Sequence, residues 1–394
     1  MSGHFHKYLV TFFFLLFLTN SAIAAENNNS TLDESARQDY YAEAAVLEVD
    51  SLNNELLDTS MMQEQLVKVE VLDGKYKGQV LTASNTLSGS AGIDIVVKEG
   101  DQVIINISES VLTSGMKAEI TEVYVVEKSR SSASMVLLGI FMGLLILIGG
   151  VQGAKALVGL GFTGFGIFYV LLPALAEGRS PLLVTLPILM AVTLLTMLVV
   201  AGFTRKALAA TLGTAGGLLV AGMLAVLIGG DFASLQGLGT EEERMLLYIE
   251  DVRINTQGLL FSGILLGALG AIMDVAMSVA SAVEEVKKAN PDLSPVQLTR
   301  AGMQVGRDVM GTMANTLILA YAGGALPFLV LYVSYQAPAI YWLNTEFIAS
   351  EVLRAVAGSI GLIVSVPITA VLAGALSRKN TSLQESAITS RSPE

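Results

Sequence analysis

One carboxylate, Asp274, lies inside an uncharged run that begins at Thr256 and ends before Glu284. A carboxylate among apolar residues needs a partner, water or a proton, so it could bind a proton, a cation or a polar substrate group. Steps of three and four residues, the spacing of one helical face, connect it to six small or polar positions. These are Gly263, Gly267, Gly270, Ser278, Ser281 and Glu285. The spacing predicts a helix with one small and polar face.

This face is predicted to point into a helical bundle. Gly263 and Gly267 form a small-xxx-small pair that lets a second helix approach closely. Asp274 lies about 17 residues, or roughly 26 Å, from the outer end of its predicted span, in the inner third of the bilayer. The other side is expected to contact lipid or apolar side chains, through Leu259, Leu265, Leu266, Leu269 and Ile272. The alternative is an acid that neighbouring hydroxyls and amides merely hold neutral.

A second polar face follows on the next predicted helix. Its members are Asp308, Gly311, Asn315 and Ala322, spaced by 3, 4 and 7 residues, with Thr312 and Thr316 beside them. The candidate transport or ion site predicted from both helices comprises Asp274, Ser278, Ser281, Asn315 and Asp308. Asp308 also follows Arg307 directly, so an ion pair at the membrane boundary is the alternative interpretation of that acid.

Gly323, Gly324 and Pro327 are concentrated in the middle of the same predicted span. A broken helix of this kind is frequent in transporters, where the freed backbone lines a cavity. A proline kink in an ordinary span is the other explanation.

The loop before this span predicts a helix start and a weak anion site. Ser294, Pro295 and Gln297 have the spacing of a capping box with proline in the first turn. Arg300 and Arg307 are seven residues apart and share a helical face, which suits phosphate or lipid head groups. Anchoring of the cytoplasmic side by positive charge explains the same pair without a ligand.

The composition indicates a membrane protein, because 53% of the 394 residues are hydrophobic and 15% are charged. About twenty apolar residues per span divide 133–376 into seven predicted spans. Their ranges are 133–151, 156–176, 182–203, 207–230, 257–283, 309–334 and 353–376. Nine Lys/Arg on one side against four on the other place the start of the first span outside. Gly213 and Gly217, and again Gly358 and Gly361, predict close helix packing.

Residues 1–24 have the pattern of a signal peptide, with cleavage after Ala24, although an uncleaved anchor is the alternative. Residues 25–62 are polar without clear periodicity and predict a linker. Period-two patterns then predict a small extracytoplasmic barrel or sandwich over 63–130, of the oligonucleotide/oligosaccharide-binding (OB) type, with turns at Asp73-Gly74 and Gly100-Asp101. Residues 377–394 are predicted to be a cytoplasmic tail.

The chain lacks cysteine, and its two histidines, His4 and His6, precede the apolar run of the signal. Disulfides, thiolate chemistry and Cys/His metal sites are therefore not expected, and no cofactor is predicted. Residues 26–130 hold 19 acidic against 8 basic side chains, so nucleic acid is not an expected partner.

Three segments carry a family resemblance: "GAIMDVAMSVASAVEEV", "GRDVMGTMANTLILAYAGGALP" and "TRKALAATLGTAGGLLVAG". They resemble the YibE/F-like family of bacterial multi-pass membrane proteins over most of residues 66–376. The resemblance implies a signal or anchor, an exported β-rich segment and a polytopic membrane domain. It implies no substrate, cofactor or catalytic residue.

The fold class predicted is mostly α, a polytopic bundle of about seven spans after a signal peptide, with a small exported β-rich domain. The function predicted is a secondary transporter of an unknown small solute or ion in the bacterial cytoplasmic membrane, with Asp274 as its proton, cation or substrate site. The alternative is a non-catalytic envelope assembly or sensing protein whose 63–130 domain binds a protein partner. An intramembrane aspartyl hydrolase using Asp274 and Asp308 is a third hypothesis, against which the GxGD pattern is missing. The bilayer is an expected partner in every case, and oligomers are compatible with all three.

Overall fold

The computed structural model describes residues 37–51, 63–88, 94–110, 119–249 and 254–377. The chain divides into two compact units between residues 144 and 145, one containing a β barrel and the other a set of helices. The predicted signal peptide 1–24 lies outside the described residues, as do residues 25–36 and 52–62 of the predicted linker and the tail from 378.

The barrel has five strands: β1 (Arg37–Ser51), β2 (Gln63–Val71), β3 (Val80–Leu87), β4 (Gln102–Ser110) and β5 (Glu119–Lys128). They close in the order β1-β2-β3-β5-β4, with β4 returning to β1. All pairs are antiparallel except β3 with β5, which are parallel and joined at Ser84 and Tyr124. This closed Greek-key order is the topology of an OB fold, so the predicted small barrel is confirmed.

The predicted boundary between linker and barrel at residue 63 is wrong, because β1 begins by Arg37. This strand turns Ala42, Ala44 and Val46 into the barrel core. Two of these three residues are alanine, which gives a weak apolar signal. A bulge after Val46 then shifts the register of pairing with β2, so the alternation changes phase along the strand. Both effects conceal the strand in the sequence.

The predicted turn at Asp73-Gly74 is confirmed and joins β2 to β3. Gly74 has a φ of 74°, and a Cβ there would collide with the hydroxyl of Tyr40. Both the backbone conformation and the lack of space therefore favour glycine at this position. Asp73 Oδ1 accepts a hydrogen bond of 2.7 Å from the backbone N–H of Glu43 and so ties the turn to β1.

A buried carboxylate, Glu109, is held at the end of β4 by two residues of this turn region. Lys75 Nζ lies 2.7 Å from Glu109 Oε2, and the hydroxyl of Tyr76 donates to Oε1 at 2.6 Å. Burial alone would raise the pKa of Glu109, but the two donors stabilise the carboxylate more strongly and its pKa is lowered. The pKa of Tyr76 is raised, by burial first and by its hydrogen bond to Glu109 second.

Ten α-helices follow among the described residues. They are α1 (Ser131–Phe165), α2 (Leu172–Ala176), α3 (Pro181–Ala201), α4 (Arg205–Leu224), α5 (Glu241–Met245), α6 (Thr256–Ala289), α7 (Pro295–Gly324), α8 (Leu326–Ser334), α9 (Ala339–Trp342) and α10 (Glu346–Leu376). Segments with π-helical hydrogen bonding, Gly166–Leu171 and Ala225–Phe232, extend α1 and α4. The predicted capping box at the start of α7 is confirmed, with Ser294 and Gln297 bonded reciprocally.

Five helical segments of the described chain are long and apolar enough to cross a membrane, and α7 with α8 makes a sixth if the bent pair counts as one. The first two predicted spans, 133–151 and 156–176, fall on the single stretch Ser131–Ala176. This stretch turns sharply at Gly150, whose φ of 54° and ψ of −130° are not helical. A Cβ on Gly153 would consequently collide with the carbonyl oxygen of Leu145, a contact that a straight helix does not allow.

The bundle is centred on α10, which packs against α4, α6 and α7. At its contact with α4, the backbones of Gly217 and Gly361 approach closely, and a Cβ on Gly213 would collide with Thr369 Oγ1. The close packing predicted for these glycines is confirmed. Ile272 of α6 fills the same region, with its Cγ2 2.8 Å from the point where a Cβ on Gly217 would stand.

The break predicted from Gly323, Gly324 and Pro327 occurs at Ala325, where α8 bends by 59° from α7. Proline in the first turn of α8 accounts for a helix ending here, because its nitrogen cannot donate to the preceding turn. Phe328 of α8 stacks on Phe347 of α10 at 3.9 Å between ring centroids. Tyr332 stacks on Trp342 of α9 at 6.3 Å.

Candidate functional site

Asp274 lies near the middle of α6, 18 residues after Thr256 and 15 before Ala289. The helix has 34 residues, which corresponds to about 51 Å and exceeds a hydrocarbon core of about 30 Å. The predicted depth in the inner third of the bilayer assumed a helix ending near residue 283. Because α6 continues for six residues beyond that point, Asp274 is more central along the helix than expected.

The predicted orientation of α6 is wrong. Gly267, Gly270, Asp274, Ser278 and Glu285 are exposed, and Gly263 and Ser281 are half-buried. The opposite side is buried against the bundle and includes Leu265, Leu269 and Ile272, two of which are fully buried. Leu265, Leu269 and Ile272, which were predicted to contact lipid or apolar side chains, thus form the core contact.

The physical reason is that the small residues of other helices provide the close approach. Gly217 of α4 and Gly361 of α10 make a shallow seam, and the large side chain of Ile272 fills it. Burying an apolar side chain of this size is favourable, whereas a glycine face would leave the seam unfilled. Of the α6 glycines predicted to pack, only Gly267 has a close neighbour, the hydroxyl of Tyr321, while nothing lies within 4 Å of a Cβ on Gly263 or Gly270.

The second predicted polar face is also exposed. It includes Asp308, Gly311, Thr312, Asn315 and Thr316 of α7. The hydroxyls of Thr312 and Thr316 donate to carbonyl oxygens of their own helix, at 2.8 and 2.9 Å. The opposite side of α7, at Gly302 and Gly306, packs against α6 and α10.

The contacts of α7 with α6 fix the level of each polar residue. Val283 and Val279 contact Gly302, Val279 contacts Gly306, and Tyr321 contacts Gly267. The two helices are therefore antiparallel neighbours. Measured along the helix axes, these contacts place Thr312 at the same height as Asp274, and Asp308 at the same height as Ser278.

The candidate residues thus follow one another along two neighbouring helices without bonding one another. Within the described ranges, no side-chain hydrogen bond or ion pair is formed by Asp274, Asp308, Ser278, Ser281 or Asn315. A carboxylate at the centre of a membrane costs about 2.5 to 3.5 kcal/mol on insertion scales unless it is paired, hydrated or protonated. The arrangement could therefore bind protons or hydrated cations where water reaches this face.

The predicted weak anion site, Arg300 and Arg307, lies exposed on α7. Neither guanidinium has an ion pair among the described residues. No group of three or more metal-ligating side chains occurs in the part of the chain that the structure describes.

An ion pair inside the helical region was not predicted from the sequence. Arg354 Nε lies 3.5 Å from Glu351 Oε1, with only 26% and 20% of the two side chains exposed. Both are on α10, and the i,i+3 spacing of opposite charges is the signal that could have revealed the pair. Arg354 also lies within electrostatic range of Tyr321, the residue that touches Gly267 of the Asp274 face.

The fold and these sites define a protein with several apolar helices suited to a membrane and an N-terminal barrel of OB topology. A family model described as YibE/F-like protein matches residues 137–379, and one described as YibE/F family N-terminal domain matches residues 43–123. Since the first match covers more than half of the chain, the chain belongs to the YibE/F-like family, and the resemblance drawn from the sequence is confirmed. The comparison with curated proteins and that with solved structures each found no match.

Proposed function

We propose that the chain is a secondary transporter of a small solute or ion in the bacterial cytoplasmic membrane, with Asp274 as its proton, cation or substrate site. The observation that carries the proposal is the position of Asp274, central on an apolar helix, exposed and without a partner in the described residues. Retaining such an acid is costly in lipid, so water or a bound cation is its natural environment.

The neighbouring helix supports the same proposal. Thr312 is level with Asp274, and Asp308 with Ser278, so oxygen atoms succeed one another along two adjacent helices. Oxygen ligands of this kind suit a proton or a hard cation such as Na⁺. The 59° bend between α7 and α8 gives this face an interrupted helix, a feature frequent in transporters.

The test is ion flux in vesicles that contain the full chain. With a pH-sensitive or a Na⁺-sensitive dye trapped inside, an imposed gradient of H⁺ or Na⁺, respectively, should relax faster with the wild-type protein than in empty vesicles. Asp274→Asn should abolish the difference, because the amide cannot exchange a proton or neutralise a cation. Glu285→Gln is the matched control, since Glu285 lies on the same face but pairs with Lys288 at 2.8 Å.

Wild-type vesicles that conduct neither ion, or an Asp274→Asn protein as active as the wild type, would reject ion coupling through Asp274. No hydrogen bond joins Asp274 to Asp308 in the described chain. The intramembrane aspartyl hydrolase, in which these two acids would share a proton, therefore stays a prediction from the sequence.

A second candidate function is supported by the barrel. A groove of about 450 Å³ runs along β2, β3 and β5, with Glu64, Ser84, Glu122 and Tyr124 among its lining residues. The β2–β3 face is where OB folds commonly bind ligands. An envelope assembly or sensing protein would use this acidic groove for a partner. If the protein assembles or senses through this groove, deletion of residues 37–128 should abolish its function, whereas Asp274→Asn should have no effect. If it is a transporter, Asp274→Asn should reduce its function more than the deletion does.

A further inference from the structure

The polar faces of α6 and α7 lie side by side on the outside of the helical unit, and no described element of that unit covers them. Gly270 and Asp274 are exposed on α6, and Gly311 and Asn315 are exposed on α7. Lipid against a carboxylate and an amide is unfavourable. Water can reach these groups inside a bilayer only where another wall keeps lipid away. The Asp274 site is therefore incomplete in a single chain.

Each polar side chain is level with a glycine of the neighbouring helix. The contacts that fix the helix heights place Gly311 within about one residue, or 1.5 Å, of the height of Asp274. They place Asn315 equally close to the height of Gly270. Nothing lies within 4 Å of a Cβ on Gly270 or on Gly311. Each helix thus has an open notch at the height where the other carries a polar side chain.

The two polar groups are also chemically complementary. The Asp274 carboxylate accepts hydrogen bonds, whereas the Asn315 amide carries two N–H donors. Neither side chain is hydrogen-bonded in the described chain. Their heights differ by about three residues, or 4.5 Å, and side chains tilt toward the start of their own helix. Because α6 and α7 are antiparallel, this tilt brings the carboxylate and the amide toward the same height.

A second copy of the chain presents the missing half. Two copies in one membrane have the same sidedness, so a closed pair is related by a two-fold axis along the membrane normal. Such an axis preserves heights and places α6 of one copy opposite α7 of the other. Asp274 of each copy then faces the Gly311 notch and the Asn315 amide of the other copy, and the contact occurs twice.

The area of the two faces is sufficient for a stable pair. The 30 residues of α7 correspond to about 45 Å, and α6 is longer. Two neighbouring faces about 45 Å long and about 10 Å wide offer roughly 900 Å² per copy, against about 800 Å² per partner in a standard interface.

We propose that a second copy of this chain covers the α6 and α7 faces and that Asn315 of the second copy donates a hydrogen bond to Asp274. The Asp274 site then lies at a two-fold interface, with Ser278 and Asp308 beside it in a hydrated path between the copies. The role of Asp274 in this pair rests on the proposed function, whereas the pairing itself does not.

The first test is cross-linking between two single-cysteine chains produced together in membranes. Gly270→Cys carries one epitope tag and Asn315→Cys carries another, so a link between the tags joins two copies. Oxidation should link them, because the Cβ atoms of a disulfide lie about 3.5 to 4.5 Å apart. Ile363→Cys replaces Gly270→Cys in the control. Ile363 is 42% exposed on α10, two residues beyond the Gly361 contact with Ile272, and so lies near the depth of Asp274 on another face.

The second test measures dimerisation by energy transfer between labelled chains in vesicles. Asn315→Ala should weaken dimerisation at least threefold, the effect of losing an average polar contact between membrane helices. Asn344→Ala is the control, because the Asn344 amide donates to the Ile340 carbonyl of α9 and lies outside the two faces.

The proposal is overturned if the chain is monomeric in vesicles, which would assign the face to water or to another membrane protein. Equal linking through the control pair, or equal dimerisation of the Asn315→Ala and wild-type chains, would also overturn it. Neither readout uses an ion gradient. A monomer that conducts ions therefore rejects only the pairing, and a dimer that conducts none rejects only the transporter.

Discussion

The carbonyl oxygen of Gly217 and that of Gly361 each lie 2.6 Å from the point where a Cβ on the other residue would stand. The two glycines thus allow α4 and α10 to touch backbone to backbone. A backbone carbonyl cannot rotate away as a side chain can. Neither helix can therefore make room for a Cβ at this contact without moving its backbone.

Gly217→Ala should therefore force α4 and α10 apart. We expect a loss of about 1 to 3 kcal/mol, the usual cost of excess volume in a packed core. The measurement is the thermal unfolding midpoint of the full chain in detergent. Gly263→Ala is the control, because nothing lies within 4 Å of a Cβ there. Equal losses of stability in the two variants would contradict the close contact between Gly217 and Gly361.

Single cysteines should react with a water-soluble thiol reagent at positions 278, 281 and 315, but not at positions 269 and 272. The first three lie on exposed or half-buried positions of the two polar faces, whereas Leu269 and Ile272 are buried. No native cysteine has to be removed first. A thiol in lipid does not ionise and would stay unlabelled, so protection at all five positions would exclude a hydrated path.

The stability of the barrel should fall in acid because of Glu109. Its pKa is lowered in the folded chain relative to an unfolded value of about 4.3. Its carboxylate therefore contributes stability that is present above about pH 4.3 and is lost as the pH falls through the folded pKa. Hydrogen exchange over 102–110 in the full chain, corrected for intrinsic rates, measures the change.

Glu109→Gln should remove this dependence and cost about 1.5 to 3 kcal/mol at neutral pH, the range for hydrogen bonds to a charged group. The solvent exposure of Lys75 keeps the cost below that of a fully buried pair, since the freed ammonium stays hydrated. Glu127→Gln is the control, since Glu127 pairs with Arg130 at the surface. If both variants keep the same acid transition as the wild type, the loss of barrel stability in acid does not come from Glu109.

Ser294→Ala should loosen the start of α7. The Ser294 hydroxyl accepts from the Gln297 N–H at 3.3 Å, and losing such a cap costs about 1 kcal/mol. Faster hydrogen exchange over 295–299 is the expected result. Thr240→Ala removes the equivalent cap of α5 and should leave 295–299 unchanged. An unaltered rate with Ser294→Ala would show that packing alone holds this end.

Local patterns predicted the local structures well. The capping box at Ser294, the bend near Pro327 and the Asp73-Gly74 turn each depend on a few adjacent residues, and each is present. Strand β1 was not predicted, because its alanines and its bulge weaken the alternation of apolar and polar residues by which a strand is identified. The sharp turn at Gly150 falls at the predicted boundary between spans 133–151 and 156–176, although the sequence did not predict its geometry.

Longer-range arrangement was harder to predict. The orientation of α6 depends on which helix provides the small residues at a contact, and that is decided by Gly217 and Gly361, which are distant in sequence. The ion pair between Lys206 of α4 and Glu284 of α6, 2.9 Å apart, has the same origin, because separate helices bring their ends together only in the folded chain. The polar faces of α6 and α7 were found from spacing, although their exposure was not.

The stacking of Tyr332 on Trp342 has a spectroscopic consequence, because Trp342 is the single tryptophan of the chain. Its emission reports on the contact between α8 and α9, next to the segment where α7 bends into α8. Intrinsic fluorescence of the unmodified protein can therefore follow rearrangement there in real time, with selective excitation at the red edge separating this indole from the 11 tyrosines.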